Sequence, residues 1–363
     1  MATRIAILGG SNSLLKSGWV DCLTARYAEG VDVQNLSIGA STSAMGIFRY
    51  LSALDRSDDR ILVWEYSLNE ENYFRRGQSL QSILFHAEWI LHLCAREKRK
   101  LLAVLLYNRR EEEKGILSAY RDALRTLFER YSIEVVDAQE LLYAIAGTDK
   151  PDLDFWYKES AHYSVETSFM PILAEAVFHG LAVARCPAVA ATDHERFDGR
   201  DLALCYPSGD KGVPFRNRIL TCTRYPIIDD VIIPAQGKLL ACILVTSNNA
   251  EAALVIADDR QKGPYSTQVP GGPSAPKFLL KHIILWDSFD DMLTARHEVK
   301  IVDARRALGL KRMGKPIRQS TFCWDGAKDA VREDSVVAVI VETGHDASPE
   351  TFAITTAQNR LGP

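Results

Sequence analysis

The sequence has no surplus of basic charge, no apolar run long enough for a membrane and no pattern of paired cysteines. Its 363 residues carry 43 Lys and Arg against 47 Asp and Glu, a formal net charge of -4. The imbalance lies in residues 1–185, with 21 basic and 25 acidic side chains; the rest carry 22 of each. Proteins that bind nucleic acid neutralise phosphates with clustered Lys and Arg, so no nucleic-acid partner is expected. No uninterrupted apolar stretch approaches the roughly 18 residues that span a bilayer. The seven cysteines (Cys22, Cys94, Cys186, Cys205, Cys222, Cys242 and Cys323) are odd in number and scattered, without a C-x-x-C pair. That excludes an obvious disulfide framework or zinc site and fits free thiols in a cytoplasmic protein. The apolar stretch Ile5–Leu8 is too short for a signal-peptide core and runs straight into a Gly/Ser loop. No His/Cys/Asp/Glu cluster has metal-ligand spacing, so no metal or other cofactor is expected. The acidic pairs Asp229-Asp230, Asp258-Asp259 and Asp290-Asp291 read as surface turns rather than calcium sites.

What is present is ordinary core material, 47% hydrophobic, arranged in two styles. In the first half, short runs rich in Val, Ile and Leu alternate with amphipathic stretches. The runs are Arg4–Leu8, Val31–Ser37, Ile61–Tyr66, Leu101–Tyr107 and Ile133–Val136, apolar enough for strands buried on both faces. Helices are expected over Leu14–Tyr27, Ala44–Leu54, Ser79–Arg96, Lys114–Arg130, Gln139–Ala146 and Ser164–Ala182, with Pro171 marking a kink or restart in the last. The charged run Arg109–Lys114 reads as a solvated helix entry. Strand-helix units in series imply a parallel sheet covered on both faces by helices. Ligands of such sheets sit beyond the carboxyl ends of the strands.

Residues 186–215 hold Pro187, Pro207 and Pro214, the mixed charges Asp193–Asp201 and the turn Ser208-Gly209-Asp210, and read as a linker or crossing segment. Beyond them, short strand-like runs recur: Ile219–Thr223, Val231–Ile233, Lys238–Val245, Ala252–Ile256, Phe278–Ile284, Glu298–Val302 and Val336–Val341. Turns such as Asn248-Asn249 and Gly271-Gly272-Pro273 separate them, suggesting an all-β sandwich or jelly roll with helical insertions at Asp287–Ala295 and Asp303–Leu308. The expected division is therefore 1–185, a linker over 186–215, and a β-rich domain over 216–363. Trp286 and Trp324 in the latter fit either core packing or stacking on sugar rings.

The most informative stretch follows the first strand: Gly9-Gly10-Ser11-Asn12-Ser13. A glycine-rich turn between strand and helix brings backbone close to a ligand and aims a helix N-terminus at it. Gly10–Ser17 nearly matches a phosphate-binding loop, with Lys16-Ser17 in place, but Leu15 stands where the glycine before the lysine belongs. Gly9–Ser13 nearly matches the nucleophile elbow G-x-S-x-G, although the elbow of α/β-hydrolases lies deep in the chain rather than on the first strand. A third reading draws on other strand ends. After the second strand comes Asn35-Leu36-Ser37-Ile38-Gly39-Ala40-Ser41, and after the third Glu65-Tyr66-Ser67-Leu68-Asn69-Glu70. After the fifth strand and its helix comes Asp154-Phe155-Trp156-Tyr157-Lys158-Glu159-Ser160-Ala161-His162.

In this order, Ser11, Gly39, Asn69 and His162 make residues 4–185 resemble the SGNH hydrolases, the GDSL-like esterases and acyltransferases. The resemblance implies a flavodoxin-like three-layer α/β sandwich with Ser11 as nucleophile and His162 as general base. The backbone N–H groups of Ser11 and Gly39 and the side-chain amide of Asn69 would form the oxyanion hole. The family pattern G-D-S is Gly9-Gly10-Ser11 here; Ser67 and Glu70 replace the glycine and aspartate around the asparagine. The usual D-x-x-H is Glu159-Ser160-Ala161-His162, so Glu159 would orient His162, with Asp154 as the alternative. Taken singly, Ser11 also reads as a helix cap, Gly39 as a turn glycine, Asn69 as part of a polar loop, and Glu159 as a solvated charge.

The resemblance further implies acyl transfer through Ser11 on an O-acyl, above all O-acetyl, ester of a carbohydrate or polysaccharide precursor. Hydrolysis and transfer both remain open, as does the oligomeric state. Two other readings stand beside this one: a catalytically degenerate scaffold serving glycan binding or assembly, and a nucleotide binder using Lys16.

Overall fold

A computed structural model describes residues 2–115, 117–148, 150–189, 196–272, 277–326 and 332–344. The chain divides into two units, Met1–Arg196 and Phe197–Pro363.

The first unit is built on five strands: β1 (Thr3–Gly9), β2 (Val31–Asn35), β3 (Ile61–Glu65), β4 (Leu101–Leu105) and β5 (Glu134–Asp137). They pair in parallel in the order β2-β1-β3-β4-β5. Every residue of β4 is fully buried, as are Ile5–Leu8 of β1, which is why these runs carry no polar alternation. Nine helices of this unit are described: α1 (Trp19–Arg26), α2 (Ser43–Ala53), α3 (Ser67–Arg75), α4 (Leu80–Arg96), α5 (Arg109–Lys114), α6 (Ala119–Arg130), α7 (Ala138–Ala146), α8 (Leu153–Trp156) and α9 (Phe169–Val183). Helix α9 packs against α1 and α7, sharing one apolar core through Trp19, Leu23, Leu142, Leu173 and Val177. Helices α2 and α6 both pack on α4. In this strand order β2 and β3 lie on either side of β1, so the order reverses between β1 and β3, where such sheets place their ligands at the carboxyl ends of the strands. A hairpin of β6 (Tyr157–Glu159) and β7 (His162–Tyr163) precedes α9.

Several expected boundaries move, each for a local reason. The helix expected from Leu14 begins at Trp19, because Ser17 takes a left-handed φ of 59° and Gly18 is extended. Strand β2 stops at Asn35, whose side-chain oxygen accepts the Ser37 N–H and turns the chain. The helix expected over Lys114–Arg130 is two: Gly115, at φ 61°, ends α5, and Ser118 caps α6. Helix α9 begins at Phe169 rather than Ser164, with Pro171 in its first turn, where a missing N–H costs nothing. The Asn69 segment, legible as a polar loop, is the helix α3. The charged run in α5 is not solvated throughout: Glu111 is buried against Arg121.

The second unit is strand-rich. Its strands are β8 (Asp201–Cys205), β9 (Val213–Arg216), β10 (Thr221–Pro226), β11 (Val231–Pro234), β12 (Gly237–Thr246), β13 (Ala252–Ala257), β14 (Arg260–Ser266), β15 (Leu279–Ile284), β16 (Thr294–Ala295), β17 (Glu298–Asp303) and β18 (Ser335–Thr343). One sheet runs β15-β12-β18-β10-β9, with β16 on β12 and β8 on β18; the other runs β11-β17-β13-β14. All these strands pair antiparallel. Cys242, Leu244 and Val339 of the first sheet share a core with Ile233, Val255 and Ile301 of the second, the arrangement of a β-sandwich. Strand β8 and all but the last residue of β9 fall in the expected linker, whose prolines mask their short apolar content; residues 190–195 of that linker and Pro273 lie outside the described residues. Asp287–Ala295 forms a single 3-10 turn and the short β16 rather than a helix, whereas Ala304–Leu308 is helical with Asp303 as its cap. Trp286 is fully buried, which removes it as a sugar platform, and Trp324 packs beside Leu254 and Met313. Lys211 pairs with Asp229, Arg296 with Asp258 and Lys262 with Asp291, so one member of each acidic pair is held by a cation. Among the described residues no group of His, Cys, Asp and Glu gathers to hold a metal ion, and no helix is long and apolar enough to cross a membrane.

Candidate active site

The loop after β1 is folded down on the end of β3. Gly9 of β1 stands in register with Glu65 of β3. The buried Glu65 carboxylate accepts the Gly10 N–H at 3.0 Å and the Ser13 hydroxyl at 2.7 Å through the same oxygen. Burial pushes this carboxyl up to about 7, against the opposing effect of its two donors. Ser11 lies between them and opens the 3-10 turn Asn12–Leu14. Lys16 and Ser17 are exposed beyond this turn, and α1 begins only after Gly18, so no lysine-bearing loop wraps the helix start as a phosphate site would require.

Gly10 is a glycine because something else occupies its side-chain space. A Cβ there would lie 2.2 Å from Asn69 Nδ2. Asn69, the third residue of α3 and 9% exposed, thus lays its amide against the backbone immediately before Ser11. Its helix is anchored on either side of it. The Ser67 hydroxyl donates to the Leu106 carbonyl at 3.0 Å and accepts the Leu106 N–H at 2.9 Å. Buried Glu70 accepts the Ser43 N–H at 2.7 Å and the Tyr120 hydroxyl at 2.8 Å, and burial raises it to about 7. Gly39, from the loop after β2, is the fourth neighbour: a Cβ on it would stand 3.7 Å from Ser11 Cβ.

The hairpin supplies the remaining groups. His162 Nε2 stands 2.7 Å from Ser11 Oγ, and His162 Nδ1 is bonded to Glu159 Oε1 across the same hairpin. If the Ser11 hydroxyl donates to Nε2, the proton on the ring belongs to Nδ1 and is given to Glu159, a tautomer inferred from the bonding pattern. Asp154 takes no part. It is 83% exposed and paired with Arg109 at 2.6 Å. The structure thus brings Ser11, Gly39, Asn69, His162 and Glu159 to one place and leaves Asp154 out.

The sequence gives little sign of what holds this hairpin. Asn12 donates its side-chain amide to the Ala161 carbonyl at 2.9 Å, joining the Ser11 turn to the hairpin tip. The Tyr163 hydroxyl accepts the Tyr107 N–H at 3.0 Å and the Tyr157 hydroxyl donates to the Tyr107 carbonyl at 3.2 Å, the two rings stacked at 4.5 Å. The Arg109 N–H donates to the Ser160 carbonyl at 2.9 Å. The end of β4 that bears these bonds is gripped by buried Arg121, which pairs with Glu111 at 2.7 Å and donates to the Leu106 carbonyl at 2.7 Å. Only the aromatic richness around His162 hinted at this scaffold.

No family model matches the sequence, and no curated protein matches it either. Solved structures do. The crystal structure of a two-domain esterase (CEX) active on acetylated mannans, co-crystallised with mannopentaose, aligns over 96% of this chain and 92% of its own, with a TM-score of 0.58 and 14% identity. A second crystal structure of a two-domain esterase (CEX) active on acetylated mannans aligns over 94% of this chain and 92% of its own, with a TM-score of 0.58 and 13% identity. At such identity the likeness is one of fold. The chain shares with that protein an α/β unit on a parallel sheet followed by a strand-rich unit.

Proposed function

We propose that this chain is a serine esterase that removes O-acyl, specifically O-acetyl, groups from a carbohydrate. The observation that carries the reading is the contact of Ser11 Oγ with His162 Nε2 at 2.7 Å while Nδ1 is held by Glu159. A serine hydroxyl is a poor nucleophile until an imidazole takes its proton. Ser11 Oγ attacks the ester carbonyl carbon as its proton passes to His162 Nε2, and Glu159 stabilises the imidazolium that results. The negative oxygen of the tetrahedral adduct is met by the N–H groups of Ser11 and Gly39 and by the Asn69 amide, each donor worth about 3 kcal/mol. The adduct expels the sugar alkoxide, which takes the proton from His162 and leaves an acetyl group on Ser11. Water repeats the sequence, giving up its proton to His162, and acetate leaves. The fold-level likeness to an esterase active on acetylated mannans supports the choice of ester.

Transfer of the acetyl group to a sugar hydroxyl would use the same acyl-enzyme with a different acceptor, and free thiols at all described cysteines would suit a cytoplasmic biosynthetic substrate. The test is labelling by a serine-directed phosphonate together with acetyl release from a panel of acetylated oligosaccharides, with and without free sugar acceptors. Wild type should be labelled and should release acetate, and Ser11→Ala and His162→Ala should do neither. A folded wild type inert in both assays would overturn the reading in favour of a degenerate binding scaffold.

A further inference from the structure

The carboxylate beneath the Ser11 turn has no place in the acyl-transfer steps, yet it touches the turn on both sides of the nucleophile. Glu65 ends β3 and is 1% exposed. Its Oε2 accepts the Gly10 N–H and the Ser13 hydroxyl, while its carbonyl accepts the Gly10 N–H again at 3.2 Å. Ser11 is therefore suspended between two residues tied to a single oxygen. A carboxylate oxygen is the acceptor best able to hold two donors at once, because bonds to an ionised acceptor are roughly twice as strong as neutral ones.

Resting on the reading of Ser11 as nucleophile, we propose that Glu65 is its positioning residue: the ionised carboxylate fixes the turn so that Ser11 Oγ meets His162 and the Ser11 N–H meets the oxyanion. Among the described residues the donors to Glu65 are Gly10 and Ser13 alone. The other titratable and charged groups near it are Tyr66, which follows it and which burial keeps neutral, Arg49 from α2 and Glu70 from α3 around the Tyr66 ring, and His162 on the far side of Ser11. None of them is an ion-pair partner that would hold Glu65 charged at low pH. With burial raising the group to about 7, the positioning form is the one that prevails above neutrality. Activity then requires Glu65 to have lost its proton as mooring.

The test measures kcat and KM for acetyl-ester hydrolysis from about pH 5 to about pH 9 in wild type, Glu65→Gln, Ser13→Ala and the double variant, with thermal melting alongside. Glutamine keeps the shape and removes the charge. At the alkaline plateau Glu65→Gln should lower kcat roughly tenfold with KM within about twofold, the difference between a charged and a neutral acceptor. Its acid limb should lack the loss of activity near pH 7 that protonation of Glu65 gives wild type. The double variant should be little worse than either single one, since both cut the same mooring. An acid limb that is the same in wild type and in folded Glu65→Gln would overturn the inference. So would a folded Glu65→Gln with wild-type kcat, or one whose only change is a lower melting temperature. A wild type neither labelled by phosphonate nor active would overturn the Ser11 reading and the inference together; a labelled wild type with an indifferent Glu65→Gln overturns the inference alone.

Discussion

Replacing Gly10 with alanine adds one methyl group, and the structure says where its cost falls. The Cβ would sit 2.2 Å from Asn69 Nδ2, whereas ordinary contact begins at 3.4 Å. The amide must therefore retreat by roughly 1 Å, a misplacement that by itself can lower a rate about 100-fold. This corresponds to about 2.7 kcal/mol of lost transition-state stabilisation. Gly10 has no left-handed φ, so alanine meets no backbone strain. The stability loss should stay near the roughly 1–3 kcal/mol of a local overpacking. Steady-state kinetics on an acetyl ester should show a fall of about 100-fold in kcat with little change in KM, because the displaced donor acts on the transition state. Asn69→Ala alone should cost about 100- to 1,000-fold. If the alanine works only by displacing Asn69, the Gly10→Ala/Asn69→Ala double variant will match Asn69→Ala within about threefold. A Gly10→Ala protein within threefold of wild type, or a double variant whose losses multiply, would refute the account of why glycine stands at position 10.

Four further outcomes follow from other parts of the first unit. Glu159 is 63% exposed, so Glu159→Ala should lower kcat by only about 10- to 100-fold, and added salt should weaken wild type more than the variant. Asp154→Ala should leave kcat within about twofold, since Asp154 pairs with Arg109 rather than His162. Arg121→Ala leaves Glu111 buried without its cation and should destabilise the unit by about 3–5 kcal/mol, read as a lowered urea midpoint. Glu65 and Glu70 hold protons in the folded state up to about 7, against an ordinary value of 4.5. The native state thus binds more protons than the unfolded chain between those values, and their contribution to stability declines as pH rises through that window, by on the order of 3 kcal/mol each. His86, lowered from 6.5 to about 4 by burial, works in the opposite sense over most of the same window, its contribution rising with pH between those values. Denaturation across pH should show Glu65→Gln and Glu70→Gln losing less stability than wild type between pH 4.5 and 7; an unchanged slope would contradict the burial effect.

The parts of this molecule that were legible in its sequence are those where one residue type answers one physical need. Ile5–Leu8 and Leu101–Leu105 read as buried parallel strands because nothing polar can be tolerated there. Ser11, Gly39, Asn69 and His162 read as a set through the resemblance, each after a strand or, for His162, after the fifth strand and its helix, and the structure places Ser11 beside Gly39 and His162. What stayed hidden depends on partners far away in the chain. Glu111 looked solvated because its neighbours are charged, yet its partner Arg121 lies in the next helix and both are buried. Glu65 looked like a polar strand end, although its donors come from the loop 55 and 52 residues earlier. Strands β8 and β9 were hidden by the prolines around them, and Trp286 lost its second role only when its burial was known. Composition likewise allowed two domains without showing that one holds a parallel sheet and the other an antiparallel sandwich.

His162 and Glu159, the proposed base and its orienter, lie three residues apart on one short hairpin, hung from the end of β4 by Tyr157 and Tyr163 and latched to the Ser11 turn by Asn12. Ser11, Gly39 and Asn69, the proposed nucleophile and oxyanion donors, by contrast follow three separate strand ends of the sheet. Half of the chemistry is therefore portable and half is not. A single exchange of the hairpin, between the two tyrosines, could abolish or restore proton transfer while the sheet and the oxyanion site stay as they are. On the proposed reading, exchange of this hairpin alone would separate ester binding from turnover.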